Sequence, residues 1–137
     1  MSAANGSAIE SLADGLRRFL LTGIADEEVF AADVFVDFTL PQWWVQLTGR
    51  DALVNLRLRS HPAMGSVPSW RVDPTPSGFV AEFTERWNAD DGDWYCREMA
   101  RADVTDGRIS ALSVYCTGDW DPALQAKHRQ AVTLLRP

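Results

Sequence analysis

The longest alternation of apolar and polar positions in the chain runs from Phe79 to Asp121. Successive strand side chains point to opposite faces, so Phe79, Ala81, Phe83, Glu85 and Trp87 share one face. Val80, Glu82, Thr84 and Arg86 share the other. The first set is a core face with one misfit, Glu85. Asn88 to Gly92 is turn chemistry, because Asp and Asn tolerate left-handed backbone and Gly adopts it freely. The returning strand, Asp93 to Val104, turns Trp94, Cys96, Ala100, Ala102 and Val104 inward, and Glu98 intrudes among them. Thr105-Asp106-Gly107 makes a second turn before a third strand, Arg108 to Thr117. A three-residue loop closing on a glycine bulge puts Ser110, Leu112, Val114 and Cys116 inside. A two-residue loop puts Ile109, Ala111, Ser113 and Tyr115 there instead. The first is preferred because it buries Leu112 and Val114.

The two misfits carry the candidate chemistry. A two-residue Asp91-Gly92 turn sets Glu85 directly opposite Glu98, and a four-residue loop sets them on a diagonal. Like charges facing each other across a sheet are destabilising. Desolvation raises a carboxyl pKa, and a second carboxylate nearby raises one of the pair further. One Glu is therefore expected to be protonated near neutral pH, or a cation to lie between them. The pair reads either as acids at a cavity mouth or paired with a helix arginine, or as an acid/base dyad inside a ligand cavity.

Elsewhere the periods are mixed. Ser7 with Glu10 makes a capping box, and Ile9, Leu12, Ala13, Leu16, Phe19 and Leu20 recur at helical spacing, predicting a helix over Ala8–Leu21. Asp26 is expected to cap a short second helix, Glu27–Phe30. Val34–Leu40 reads as a strand with Val36 and Phe38 on one face, ended by Pro41. Gln42–Leu47, with Trp43 and Trp44, is a bulky loop or short strand. A third helix, Asp51 to Ser60, has Ala52, Leu53 and Leu56 as its inner stripe, and Arg57 beside that stripe can reach the carboxylates. His61-Pro62 breaks it. A loop then leads to a short strand, Trp70–Asp73, stopped by Pro74 and Pro76, and Asp119 or Asp121 caps a closing segment, Ala123–Gln130. One domain, 8–130, between tails at 1–7 and 131–137, accounts for the chain.

The 137 residues are enough for one real core. A net charge of −6 argues against a nucleic-acid partner, which needs a basic face. No apolar run approaches the roughly 18 residues of a membrane span, and the polar start does not resemble a secretory signal. A cytoplasmic location and reduced thiols at Cys96 and Cys116, on neighbouring strands, are the expectation. No metal-ligand spacing, phosphate-binding glycine loop or nucleophile elbow occurs, so neither metal nor cofactor is expected. His61, beside a proline, reads more readily as structural than as catalytic. The six tryptophans either enclose a flat ligand or fill the core and an interface.

The order of elements resembles that of the nuclear transport factor 2-like superfamily, in its SnoaL-like branch. Phe30-Ala31-Ala32-Asp33-Val34 entering the first strand, Gly49-Arg50-Asp51-Ala52 opening a helix, Val104 to Ile109 across the last turn, and Tyr115 to Trp120 at the close carry the resemblance. It implies an α+β, cone-shaped barrel in which a curved antiparallel sheet packs on three N-terminal helices and encloses a pocket. It also implies a homodimer and a small apolar ligand, with cofactor-free isomerase, cyclase or dehydratase chemistry, or ligand binding without catalysis. The working acids of two members do not carry over. Phe38 stands where the ketosteroid isomerases have a catalytic Asp, and Ala81, Phe83 and Val114 stand where the limonene-epoxide hydrolases have their Arg and Asp residues. The candidates are thus Glu85, Glu98, Arg57 and His61 for proton transfer. Trp43, Trp44, Phe38, Phe83, Trp87, Trp94, Cys96, Leu112, Val114 and Cys116 are the candidate pocket walls.

Overall fold

The computed structural model describes residues 6–61 and 64–137. Of the loose tail expected at residues 1–7, residues 1–5 lie outside the described residues, as does Pro62, and Gly6 and Ser7 are helical instead. Helix α1 (Gly6–Thr22) buries the predicted stripe, Ile9, Leu12, Ala13, Leu16, Phe19 and Leu20. It stops where Gly23 takes φ 75°, its N–H bonded to the Phe19 carbonyl at 2.7 Å. The short helix expected after Asp26 does not form. Asp26 accepts the Glu28 N–H on its side chain, and the Val29 and Phe30 N–H groups on its carbonyl, in a single turn. The apolar run that follows, Phe30 onward, pairs as a strand instead.

That strand is β1 (Phe30–Leu40), followed by β2 (Trp43–Thr48), α2 (Arg50–Ser60), β3 (Ser66–Thr75), β4 (Gly78–Ala89), β5 (Gly92–Thr105), β6 (Arg108–Cys116) and α3 (Pro122–Ala131). The six strands form one sheet in the order β2-β1-β6-β5-β4-β3. β1 lies parallel to β6 and every other pair is antiparallel, so the sheet is mixed rather than purely antiparallel. Two helices, not three, precede β3, and the third closes the chain, with Asp121 as its N-cap. β3 runs on through Pro68 and Pro74, longer than the short strand expected. It is an edge strand, where a missing N–H leaves no ladder bond unmade.

Alternation along β5 is strict: Cys96, Glu98, Ala100 and Ala102 are buried, while Arg97, Met99 and Arg101 are exposed. Helix α1 packs against β3 and β4, and α2 against β1 and β2. The core between these helices and the sheet is built on Phe30, Val34, Val36, Phe79, Ala81, Phe83 and Ile109. At the first hairpin Ala89 pairs with Gly92 across Asp90-Asp91, which sets Glu85 opposite Cys96 and Phe83 opposite Glu98. The acids therefore sit on a diagonal. At the second turn Asp106 and Gly107 both take positive φ (53° and 76°), as a two-residue type I′ turn requires. Ser110 is then an extra residue on β6, between the pairs Val104–Ile109 and Asp103–Ala111. The bulge resolves the two registers open in the sequence. Ile109 is inside before it, and Leu112 and Val114 are inside after it.

β4 enters this arrangement through a backbone contact only glycine allows. A Cβ on Gly78 would lie 2.0 Å from the Ala102 carbonyl oxygen. Gly78→Ala should lower stability by about 1–3 kcal/mol, read from urea unfolding; an unchanged midpoint would mean that β4 and β5 can separate locally at no cost.

Candidate functional site

Arg57 lies one helical turn after Leu53, and both face the sheet from α2. Its guanidinium is only 8% exposed and forks onto the Glu85 carboxylate of β4, with Nη2 donating to Oε1 at 2.5 Å and Nη1 to Oε2 at 3.1 Å. Nη2 also donates to the Leu20 carbonyl at 2.5 Å, one of the carbonyls that the end of α1 leaves without a helical partner. One arginine thus ties both helices to the sheet. Its Nε is buried and has no hydrogen-bond partner among the described residues.

Glu98 sits diagonally beside this ion pair. Burial, the hydrogen bond to Glu85 and the charge of Glu85 together hold the Glu98 carboxyl well above the usual carboxylate range. For Glu85, burial acts upward, but the bonds from Glu98 and Arg57 outweigh it and bring its pKa below the ordinary value. The two shifts are opposite in sign: Glu85, held by Arg57, favours the carboxylate, and Glu98 keeps its proton to higher pH than an ordinary carboxyl. Of the two outcomes foreseen for the misfits, the arginine beside the pair is present, and the upward shift of Glu98 is in the direction of the other.

His61, the C-cap of α2, is buried and meets the Trp87 ring edge-on at 4.5 Å between centroids. Burial, then the Arg57 charge, lowers its pKa, so the imidazole is neutral at pH 7. Cys96, fully buried, donates its thiol hydrogen to Glu98 Oε1 at 3.1 Å. Among the described residues, two sets of side chains bring their polar atoms within 4.8 Å of one another: His61, Glu85 and Cys96, and Cys96, Cys116 and Asp119. The sequence spacing shows neither. In the first, both oxygens of Glu85 bind the Arg57 cation, which opposes a metal ion there; the second is a thiol pair with a carboxylate.

Arg57, His61 and Glu98 also wall a narrow cavity of about 50 Å³ between the helices and the sheet. Its apolar walls are Leu16, Leu20, Val36, Phe38, Leu53, Leu56, Phe83, Ala100, Leu112 and Val114. Of the expected ligand contacts, Phe38, Phe83, Leu112 and Val114 are present. Trp43 and Trp44 are not: they stand 72% and 71% exposed on the edge strand β2, where Trp44 donates its indole N–H to Asp37. Trp87 packs behind His61, Trp94 stacks on Trp87, and Cys96 and Cys116 lie under Glu98 rather than on the cavity wall. The lining is mainly aliphatic, not tryptophan. Leu16, Leu20, Leu53 and Leu56 were legible as helix stripes, but nothing local says that stripes of two helices close over one cavity.

No protein-family model matches the chain, and no curated protein matches it by sequence. Solved structures do match in fold. An NTF2-like protein from Anabaena variabilis superposes with a TM-score of 0.67 at 16% identity, over 87% of this chain and 96% of that one. The chain has the NTF2-like fold. A candidate polyketide cyclase from Xanthomonas campestris gives a TM-score of 0.65 at 20% identity, covering 94% of this chain and all of the other (100%). A phenazine biosynthesis-related protein from Pseudomonas aeruginosa gives 0.62 at 13% identity, over 96% and 92%. Identities this low carry the NTF2-like architecture and leave the chemistry to the residues of this site. Among the described residues no helix is long and apolar enough to cross a membrane.

Proposed function

We propose that this NTF2-like domain binds a small, largely apolar molecule bearing one oxygen and catalyses a cofactor-free proton transfer on it, an isomerisation, cyclisation or dehydration. The observation that carries the proposal is the Glu98 carboxyl, buried on the wall of an apolar cavity beside the Arg57-bound Glu85, where burial and Glu85 raise its pKa well above the usual carboxylate range. A neutral carboxyl in that position donates a hydrogen bond, or its proton, to a substrate oxygen. The neutral imidazole of His61, on the same cavity wall, is the complementary base for a C–H proton. Arg57 and Glu85 hold the acid protonated and the base neutral, and the unpartnered Arg57 Nε offers the substrate a second donor. The proton balance closes: His61 gains the carbon proton as Glu98 gives one to oxygen; in an isomerisation or cyclisation both return in the second half, and in a dehydration the oxygen leaves as water and the His61 proton passes to Glu98.

A non-catalytic binding or dimerisation module is the second reading, favoured by the size of the cavity. Ligand sites for drug-sized molecules measure roughly 300–1,000 Å³, so α1 or α2 must move to admit more than a few atoms. The two readings part on the carboxyls. Carbon-detected NMR should find Glu98 titrating well above, and Glu85 below, the peptide value of about 4.3. Ordinary values for both would remove the proton donor and end the catalytic reading.

A further inference from the structure

We propose that Cys116 and Cys96 form a peroxide-reactive dithiol, in which Cys116 is the attacking thiol and Cys96 the resolving one. Cys116 is half-buried at the end of β6, and its side chain shares the inner face of the sheet with Glu98 and Cys96. Cys96 is fully buried beside it, its sulfur within 4.8 Å of both the Cys116 sulfur and the Asp119 carboxylate. A small oxidant therefore meets Cys116 first, and only the second sulfur is within reach of the product.

The Cys96 thiol donates its hydrogen to Glu98 Oε1, and its sulfur lies within 4.8 Å of the Cys116 sulfur. The neighbouring Cys96 thiol lowers the pKa of Cys116, while Cys116 and burial push that of Cys96 far up. A reachable thiol of lowered pKa beside a buried partner is the arrangement that makes a cysteine pair sensitive to oxidation. Burial raises the pKa of Asp119, which suits its carboxylate to accept the Cys116 proton.

The steps balance. The Cys116 thiolate attacks one oxygen of hydrogen peroxide, breaking the O–O bond to give Cys116 sulfenic acid and, after protonation, water. Cys96 then loses its proton and attacks the Cys116 sulfur, forming the disulfide and releasing a second water. Two thiols are oxidised by two electrons, and peroxide is reduced to two waters.

Glu98, not Cys96, faces Cys116 across the ladder, so the cysteines are diagonal neighbours. Diagonals of a sheet lie roughly 7–8 Å apart at Cα, just beyond the span a bridge prefers. Closing it requires the end of β6 to shift. Cys116 is the last strand residue, and Gly118, at φ 80°, follows in the loop. A bond closed under such strain is readily reduced, as a reversible switch requires. It would also remove the thiol hydrogen that Cys96 gives Glu98.

The test treats the full-length protein with hydrogen peroxide, then uses intact mass, thiol counting and peptide mapping. The expected result is an intramolecular Cys96–Cys116 disulfide, reversed by dithiothreitol. Cys96→Ser should instead trap Cys116 sulfenic acid, labelled by dimedone, and Cys116→Ser should slow oxidation of Cys96 by at least about tenfold. Two free thiols after peroxide, bridges only between molecules, or Cys96 oxidised as fast in Cys116→Ser would each overturn the proposal.

Discussion

Arg57→Met lowers the unfolding free energy by about 3–5 kcal/mol, the largest stability loss expected from a single side chain here. The substitution keeps most of the apolar stem volume, so packing alone accounts for little of it. What disappears is the fork onto Glu85 and the bond to the Leu20 carbonyl. A carboxylate 3% exposed is left beside a second carboxyl with no cation. The pH dependence separates this cause from a packing defect. In the native protein the folded pKa of Glu85 lies below its unfolded value, so its stabilisation is present above the unfolded pKa and is lost as pH falls through the folded one. In Arg57→Met the Glu85 pKa rises instead, so the variant recovers stability on acidification. The gap between the two proteins, followed by urea unfolding, should be widest at neutral pH and close towards acid. Adding Glu85→Gln should restore part of the loss, because the pair is coupled. A gap independent of pH would mean that Glu85 carries no charge in the fold.

Glu98→Gln reduces turnover by about 10²–10⁴-fold while leaving affinity for a cavity ligand nearly unchanged. The amide fills the same volume and still donates a hydrogen bond, but it has no proton to give. Ligand binding measured beside turnover divides the two readings of the site. Retained binding with lost turnover identifies the acid; unchanged turnover rules out Glu98 as the acid. Stability gives a second readout that needs no substrate. Because the folded pKa of Glu98 is raised, the native state binds more protons than the unfolded chain. Native stability therefore falls as pH climbs from the unfolded value of about 4.3 to the folded one, and is level beyond it. Glu98→Gln lacks that fall and should be the more stable protein on the alkaline side. A native curve parallel to that of the variant would show that Glu98 titrates alike in the folded and unfolded states.

The inferences about these acids began as a mismatch of period. Glu85 and Glu98 announce themselves because strand alternation is local: two charged residues on a face of Phe, Trp, Cys and Ala are visible in any register. Their being diagonal was one of two registers open in the sequence, and the structure chose it through Asp90-Asp91. Arg57 was legible as the cation for the same reason, standing beside the apolar stripe of a helix that had to cover the sheet. The order of elements was enough to anticipate the NTF2-like fold.

Tertiary structure decided the rest. Phe30 read as the end of a short helix, yet it opens β1 because β6 offers it a parallel partner 79 residues ahead at Ile109 (109 − 30). The same apolar side chains serve either period. Ser110 bulges, so both faces predicted for β6 are correct, each over part of the strand. Trp43 and Trp44 look like pocket walls by composition, but β2 is an edge strand and places them in solvent. Cys96, Cys116 and Asp119 lie up to 23 residues apart (119 − 96) and meet only when β5 pairs with β6 and the chain turns back after Gly118. Periodicity along a chain fixes which side chains share a face, because that depends on neighbouring dihedrals alone. Which faces meet, and what stands opposite a buried charge, depends on strand pairing and helix packing between distant segments, and for this protein that is where the site is made.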